Sequence, residues 1–206
     1  MILEGIVTTR NADGSVNISP MGPLVDEAMR RIELRPFRTS TTYANLRRIG
    51  AGVLHVTDDV LLLAQAAVGQ PDPMPPATTV GDIAAASELD GLADAVREAV
   101  VLRDACRWYA FRVVETDDRA LRASLVAEVV CSGRIRDFFG FNRGKHAVLE
   151  LAILATRVGI LPADEIDAQW AMLRPWIEKT GGPREHAALE FLESWLSAKR
   201  NEPPHR

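Results

Sequence analysis

Residues 6–22 begin with Ile6-Val7-Thr8-Thr9, continue through Asn11-Ala12-Asp13-Gly14, and end with Val16-Asn17-Ile18-Ser19-Pro20-Met21-Gly22. The two apolar runs predict a pair of β-strands. The Asp-Gly step between them predicts a tight hairpin, because glycine accepts the positive φ that such turns need. The first strand ends in two threonines, and the second breaks at a Ser-Pro-x-Gly corner. A strand edge that stops at Pro and Gly leaves backbone N–H groups unpaired. The stretch therefore predicts a hairpin with free polar backbone at its broken end.

A hydroxyl-rich segment follows, with the sequence Arg38-Thr39-Ser40-Thr41-Thr42-Tyr43-Ala44-Asn45-Leu46. It predicts a helix over residues 41–49, because Ser and Thr side chains satisfy the free N–H groups of a first helical turn. Hydroxyls, free amides and one arginine at a helix start are suited to a phosphate monoester. Arg38 and Thr42 are expected to lie on an exposed loop or helix start rather than in the core. Together with the free backbone of the hairpin, which suits a flat polar ring, they predict a site for flavin mononucleotide (FMN). The alternatives from the residues alone are a capped helix start and a strand-end bulge, both without a ligand.

These motifs also carry a family resemblance. Residues 6–46 resemble the flavin-reductase-like FMN-binding split-barrel superfamily, whose members pair a Val-Thr-Thr…Asp-Gly…Asn-x-Ser-Pro hairpin with a Thr-x-x-Asn-Leu helix. Within it, the opening nine residues and the run Phe141-Asn142-Arg143-Gly144-Lys145-His146-Ala147 are typical of a family of archaeal and bacterial proteins of unknown function. The resemblance implies an α+β fold, a six-stranded antiparallel split β-barrel of Greek-key type, with a C-terminal helical lobe of about three helices.

The resemblance also implies a function. It predicts an oxidoreductase that uses non-covalent FMN to pass electrons or hydride between a reduced nicotinamide or deazaflavin and an unidentified acceptor. The alternative is a flavin- or ligand-binding protein without turnover that serves as carrier, sensor or scaffold. No catalytic residue is assigned. The expected cofactor-binding residues are Thr8, Thr9, Asn17, Ser19, Pro20, Met21, Gly22, Arg38, Thr39, Ser40, Thr41, Thr42 and Asn45.

The rest of the chain predicts how the fold is organised. Residues 1–140 are expected to form the barrel domain, with a surface loop at 69–79 that contains four prolines. Residues 141–200 are expected to form the helical subdomain, and 201–206 a frayed tail. The further elements expected are a strand over 29–37, a strand over 53–56, a helix from 58 to 68, a helical segment over 83–101, strands over 108–114 and 121–135, and helices over 142–158, 162–180 and 184–199.

The start of the first C-terminal helix carries unusual charge. Arg143, Lys145 and His146 crowd its first turn, where positive charge opposes the helix dipole, and Asn142 is a suitable N-cap. The pattern favours an anionic partner, either a substrate or a second subunit, at Asn142, Arg143 and His146. The alternative is a solvated turn that binds nothing.

Aromatic residues at the strand ends and on the late helices predict a homodimer, because a split barrel leaves one side of its flavin groove open. The candidates are Trp108, Phe138, Phe139, Phe141, Trp170, Trp176 and Trp195. Packing of the helical lobe is the alternative use for part of this surface.

Composition excludes several functional classes. The net charge of −4 predicts no nucleic-acid partner, and no apolar run is long enough to predict a membrane helix. A strand that contains Glu4 opens the chain, so the sequence predicts no signal peptide and a cytoplasmic protein.

Cys106 and Cys131 are expected to be buried free thiols, with no metal site. His55, inside an apolar run, is expected to be structural.

Overall fold

The computed structural model describes residues 1–201 of the chain. These residues form two compact units, each with its own internal contacts. The first unit consists of Met1–Thr57 and Pro73–Phe138. The second consists of Asp58–Asp72 and the described residues from Phe139 onward. Most of the predicted tail, residues 202–206, lies outside the described residues, and Asn201 is the last residue of a helix.

The first unit is built on an antiparallel sheet, as the alternating runs of the sequence predict. Its strands are β1 (Gly5–Arg10), β2 (Val16–Met21), β3 (Leu24–Val25), β4 (Arg31–Leu34), β5 (Ala51–Val56), β6 (Ala77–Thr79), β7 (Val100–Leu102), β8 (Arg107–Asp117) and β9 (Ser124–Arg134). Seven of them form one sheet in the order β2-β1-β5-β8-β9-β4-β3, and β6 pairs with β7. The expected count of six was wrong by one, because a strand of two residues carries too little pattern to be recognised.

The sheet curls because the residues before β1 reach its opposite edge. Leu3 N–H donates to Pro23 O at 3.1 Å, and Val25 N–H donates to Met1 O at 2.9 Å. The curled sheet encloses an apolar core that includes Val7, Leu54 and Phe111, each fully buried. This arrangement confirms the predicted α+β split barrel.

One helix closes the barrel core. Helix α1 (Thr41–Ile49) follows the predicted bounds and buries Leu46 in the core. It ends at Gly50, which has φ +71° and donates its N–H to Leu46 O. Gly14 in the β1–β2 turn has φ +87°, as the Asp-Gly step predicts.

The segment between β6 and β8 differs from the prediction. A helical stretch was expected over 83–101, but the structure has three helices of four residues each and then strand β7. The helices are α3 (Val80–Ile83), α4 (Ala86–Leu89) and α5 (Asp94–Arg97). The expectation was wrong at its end because the apolar run Val100–Leu102 pairs as a strand with β6. Gly91, with φ +76°, separates α4 from α5.

The second unit is helical. Its helices are α2 (Val60–Val68), α6 (Arg143–Ala155), α7 (Ala163–Thr180) and α8 (Pro183–Asn201). Helix α6 ends at Ala155, three residues before the predicted end, and its cap is Thr156 rather than Gly159. Pro162 caps α7 and Pro183 opens α8, close to the predicted starts.

The helical unit also takes a segment that was expected in the barrel. Helix α2 packs against α6 and α8, so Asp58–Asp72 belongs to this compact unit. The three C-terminal helices are those expected, and α2 joins them in the same compact unit. Within it, Leu62, Leu151 and Leu192 are buried. The apolar sequence of α2 does not indicate which later helices pack against it.

Candidate functional site

The start of α1 has the features expected of an anion site. Ser40 is the N-cap, and its Oγ accepts from Tyr43 N–H at 3.2 Å. The first N–H groups of a helix have no acceptor within it, so they face whatever lies beyond the helix start. No acidic residue lies in the first turn, and Arg38, Thr39 and Thr41 are exposed there. The arrangement favours a phosphate over a cation.

A buried network of amides and hydroxyls holds this helix against the first two strands. Asn17 Nδ2 donates to Thr42 Oγ1 at 3.0 Å and to Thr9 Oγ1 at 3.2 Å. Asn45 Nδ2 donates to Thr9 Oγ1 at 3.0 Å and to Asn11 Oδ1 at 2.8 Å. Four of these residues, Thr9, Asn17, Thr42 and Asn45, are buried. The structure thus brings the predicted hairpin and the predicted phosphate helix together at one place.

Burial changes the role expected for two of the predicted site residues. Thr42 was expected at an exposed helix start, but it is only 3% exposed, and that expectation was wrong. Its hydroxyl is an acceptor for Asn17, so its direct structural role is to position α1 beside β2. Asn45 has the same role beside β1. A hydroxyl at a helix start looks identical in the sequence whether it faces solvent or the sheet.

Thr8 and Thr9 lie on opposite faces of β1, because successive side chains of a strand alternate. Thr8 Oγ1 donates to Val100 O of β7 at 2.6 Å, whereas Thr9 joins the network under α1. The structure therefore does not bring these two predicted residues together around one ligand.

The end of β2 provides the partly open part of the site. Strand β2 is the outermost strand of the sheet and pairs with β1 from Val16 to Met21. Ser19, Pro20 and Met21 are half-buried, and Gly22 is exposed. Ser19 is two residues from Asn17 in the same strand, so the two side chains share the face that carries α1. The predicted break at Ser19-Pro20 was wrong, because β2 stays paired with β1 through these residues to Met21. The free backbone groups lie instead along the outer edge of β2, which has no further strand beside it in the seven-stranded sheet.

Sequence reasoning missed three residues around α1. Tyr43 Oη donates to Asp118 Oδ2 at 2.8 Å, and Arg47 lies 3.7 Å from the same carboxylate. The hydrogen bond from Tyr43, together with the positive charges of Arg47 and Arg38, lowers the pKa of Asp118 below its usual value. Tyr43 stood in the quoted motif, but Asp118 is 75 residues away and resembled an ordinary turn residue.

His55 is structural, as expected. It is fully buried, with Nδ1 placed 3.2 Å from Ile6 O and Nε2 accepting from Leu102 N–H at 3.0 Å. Burial lowers the pKa of His55 to about 4. Both ring nitrogens are occupied by the backbone, so this side chain is not available for acid–base catalysis. Cys106 and Cys131 are both buried, as the sequence predicts, and neither forms a disulfide.

Residues 142–146 open helix α6 in the helical unit. Asn142 is the predicted cap: its Oδ1 accepts from Lys145 N–H at 3.0 Å and its Nδ2 donates to Thr180 O at 2.9 Å. The Arg143 guanidinium lies over the Trp176 ring at 4.6 Å, and the His146 ring is 6.0 Å from that of Phe141.

Part of the positive charge in this turn is paired with a carboxylate of the same helical unit. Lys145 Nζ contacts Glu185 Oε1 at 2.8 Å and donates to Asp58 O at 2.9 Å. Burial of Glu185 raises its pKa, but hydrogen bonds from Lys145 and Gly182 N–H outweigh this and lower the pKa overall. The anionic partner of Lys145 is therefore Glu185 of the same chain. The expectation of a substrate or second subunit at Asn142, Arg143 and His146 stays a prediction.

Two further features are absent from the described part of the chain. No group of three or more His, Cys, Asp or Glu side chains among residues 1–201 could hold a metal ion. Each helix in the same range is too short or too polar to cross a lipid bilayer.

Comparison with solved structures places the fold in a known class. An FMN-bound protein from Methanosarcina mazei superposes with a TM-score of 0.71 at 24% identity, and the match covers 94% of each chain. The flavin reductase HpaC, complexed with NADP+, matches with a TM-score of 0.49 at 15% identity over 68% of this chain and 82% of that one. The styrene monooxygenase flavin reductase of Pseudomonas putida S12 matches with a TM-score of 0.47 at 12% identity, over 64% and 77% of the two chains. The first likeness shows that this chain shares the fold of the M. mazei protein over nearly its whole length, the barrel and the C-terminal helices included.

Family models agree over most of the chain. The model described as "Protein of unknown function (DUF447) N-terminal domain" matches residues 3–136, and the model described as "Protein of unknown function (DUF447)" matches residues 142–194. The chain belongs to the DUF447 family. A search of curated proteins gives no match.

Proposed function

We propose that this protein binds FMN non-covalently, with the phosphate at the start of α1 and the flavin ring along the end of β2. The observation that carries the proposal is the 3.0 Å hydrogen bond from Asn17 of β2 to Thr42 of α1. This bond holds the start of α1, where the phosphate is proposed to bind, beside the edge strand β2, where the ring is proposed to lie. The M. mazei relative, which is FMN-bound, supports the same ligand.

Apart from Ser40, the exposed and half-buried residues of the site are proposed to contact FMN, and the buried ones to position them. Arg38, Thr39 and Thr41, with the first N–H groups of α1, would hold the phosphate, because an arginine fork and free amides match its oxygens. Ser40 would position the helix start, because its hydroxyl donates to Phe37 O at 2.7 Å and accepts from Tyr43 N–H. Ser19, Pro20, Met21 and Gly22 would line the ring. Thr9, Asn17, Thr42 and Asn45 would position these groups from below, and Thr8 would do so through β7.

The proposed reaction is an oxidoreduction in which electrons or hydride come from a reduced nicotinamide or deazaflavin and go to an acceptor still to be identified. In such proteins the bound flavin supplies the redox chemistry. The residues of this chain would bind it, orient it and leave one side open to the second reactant.

A non-catalytic flavin-binding protein is the second candidate. The proposed contact residues are hydroxyls, amides, a proline, a methionine, a glycine and an arginine, and none of them is a His, Asp, Glu, Lys, Tyr or Cys, the side chains that most often act as general acid or base. The buried His55 has both ring nitrogens occupied. A carrier or sensor needs no acid or base, so this observation favours it.

Anaerobic stopped-flow reduction distinguishes the two candidates. The purified protein, loaded with FMN, would be mixed with NADH, with NADPH and with a reduced deazaflavin while flavin absorbance is followed. The oxidoreductase proposal expects saturable bleaching by at least one donor. Bleaching no faster than that of free FMN with every donor would favour the carrier.

Arg38→Ala is expected to weaken FMN binding about tenfold while leaving thermal stability unchanged, because Arg38 is exposed and a charge-assisted contact contributes about 1.5–3 kcal/mol. Fluorescence titration of FMN would measure the dissociation constant. Arg112→Ala is the matched control, since Arg112 is an exposed arginine paired with Glu128 on the sheet. An unchanged dissociation constant in the Arg38 variant would remove that residue from the site.

We also propose that the protein is a homodimer. In the helical unit Phe139 is 74% exposed and Phe141 is 96% exposed, with Trp176 at 41%. Trp108 and Trp170, which were also candidates, are buried within their own units, so they belong to the part of the aromatic surface that packs the protein itself. Large exposed aromatic surface marks an interaction site, and a permanent interface would bury about 2,000 Å² or more.

Light scattering at low micromolar concentration would test this. A mass near twice 22.6 kDa is expected. Phe141→Ser should shift the protein toward monomer, whereas Leu121→Ser, at another exposed residue (73%), should not. A monomer that holds FMN would contradict the dimer.

A further inference from the structure

The tip of the β8–β9 hairpin lies beside the proposed phosphate helix and has no role in the function described so far. Asp118 there makes contact with α1 through the 2.8 Å hydrogen bond from Tyr43 and the 3.7 Å approach of Arg47. Residues 43 and 47 are four apart and therefore share one face of the helix. Thr42 and Asn45 face the β1–β2 hairpin instead. Helix α1 is thus held from two sides by two different hairpins.

The same hairpin tip also fixes the loop that carries Arg38. Arg38 N–H donates to Leu121 O at 3.2 Å, and Ala123 N–H donates to Pro36 O at 3.0 Å. The Arg122 guanidinium lies 3.8 Å from the centre of the Phe37 ring. Residues 36–38 therefore run along residues 121–123. The position of Arg38 relative to the helix start depends on where the hairpin tip lies.

We infer that Asp118 is a positioning residue for the proposed phosphate site, and that it acts through Tyr43 by fixing the first turn of α1 relative to Arg38. This inference rests on the proposed FMN function. Tyr43 is held at both ends, because its N–H is bonded to the Ser40 cap at 3.2 Å and its hydroxyl is bonded to Asp118. A first turn fixed in this way presents its N–H groups to the phosphate without further ordering.

The hydrogen bond matters more than the ion pair in this arrangement. The Arg47 and Asp118 side chains are 50% and 38% exposed, so their attraction is screened by water and salt. The Tyr43 hydroxyl donates to a charged acceptor at a part-buried position, which makes it the stronger contact. A variant that keeps an oxygen acceptor should therefore keep the function, and one that removes it should not.

The neighbouring carboxylate provides a matched control. Asp117 accepts from Arg119 Nε at 2.9 Å and from Arg119 N–H at 3.1 Å, so it is satisfied within the turn. It makes no hydrogen bond to α1 among those found in residues 1–201. Loss of Asp117 removes one negative charge from the same hairpin tip while leaving the contact with Tyr43 in place.

The test compares the dissociation constants for FMN and for riboflavin, which lacks the phosphate, across Asp118→Ala, Asp118→Asn, Tyr43→Phe and Asp117→Ala. Asp118→Ala and Tyr43→Phe are expected to weaken FMN binding about tenfold and leave riboflavin binding unchanged. Asp118→Asn should remain near the parent, because its amide oxygen still accepts from Tyr43. Asp117→Ala should also bind as the parent does.

Three results would overturn the inference. Equal weakening of both flavins would mean that Asp118 supports only the fold. Unchanged or tighter FMN binding in both Asp118 variants would mean that it is only a nearby charge. Loss of FMN binding in Asp117→Ala would mean that the tip acts through its net charge. A parent protein that binds FMN no better than riboflavin would instead overturn the proposed phosphate site, and this inference with it, whereas a parent that binds neither flavin would overturn the proposed function itself.

Discussion

Thr42→Val is expected to lower the free energy of unfolding by about 1–3 kcal/mol, although the two side chains have almost the same shape. Thr42 is buried, and its hydroxyl accepts one of the two hydrogen bonds from Asn17 Nδ2. Valine leaves that N–H buried without an acceptor, which costs more than the lost hydrogen bond alone. Urea unfolding followed by circular dichroism would measure the change.

FMN binding should weaken in the same variant, because the start of α1 is no longer fixed beside β2. Thr42→Ser keeps the hydroxyl and should retain most of both properties. Thr41→Val changes the exposed neighbouring residue and should leave the free energy of unfolding unchanged within about 0.5 kcal/mol. If the valine variant at position 42 unfolded at the urea concentration of the parent, the buried network would not be what holds α1.

A fall in pH from 7 to 5 is expected to destabilise the protein, at pH values above those at which its carboxylates become protonated. The pKa of His55 falls from 6.5 in the unfolded chain to about 4 in the folded protein, because burial disfavours the charged ring. Between these values the unfolded state binds the extra proton, so the stability contributed by neutral His55 is complete above pH 6.5 and is lost as the pH falls toward 4. The full loss is about 3 kcal/mol, of which about 2 kcal/mol is lost by pH 5.

The carboxylates with lowered pKa, among them Asp117 and Glu185, keep their contribution to stability down to lower pH than His55 does. A lowered pKa gives stability that is lost only as the pH falls below the unfolded values of 3.8 for Asp and 4.5 for Glu. Unfolding free energies at several values between pH 7 and 5 would therefore isolate His55. His55→Gln should flatten this dependence, at a lower overall stability. An equal slope in parent and variant would assign the acid sensitivity to other groups.

Features fixed by local chemistry could be predicted from the sequence. The β1–β2 turn, the Ser40 cap of α1 and the Asn142 cap of α6 depend on residues within a few positions of each other. The Thr42–Asn45 motif and the hairpin resembled a known superfamily, and the fold agrees with that resemblance.

Features that depend on distant partners could not be predicted. Nothing near Asp118 in the sequence indicates that it meets Tyr43, and the apolar run of α2 does not reveal that α6 and α8 cover it. The exposure of Thr42 was misjudged for the same reason, because Asn17 and Thr9 are brought to it only by the folded sheet. Strand β7 was missed because its partner, β6, lies beyond a run of three short helices.

The central claim is that the start of α1 binds the phosphate of FMN, and a parallel titration of the parent protein with FMN and riboflavin tests it most directly. The two ligands share the flavin ring and differ only in the phosphate. FMN is expected to bind with a micromolar or tighter dissociation constant, and riboflavin at least about tenfold more weakly, since a charge-assisted phosphate contact contributes about 1.5–3 kcal/mol. Equal affinity for the two flavins would contradict the phosphate site, and no binding of either would contradict the flavoprotein itself.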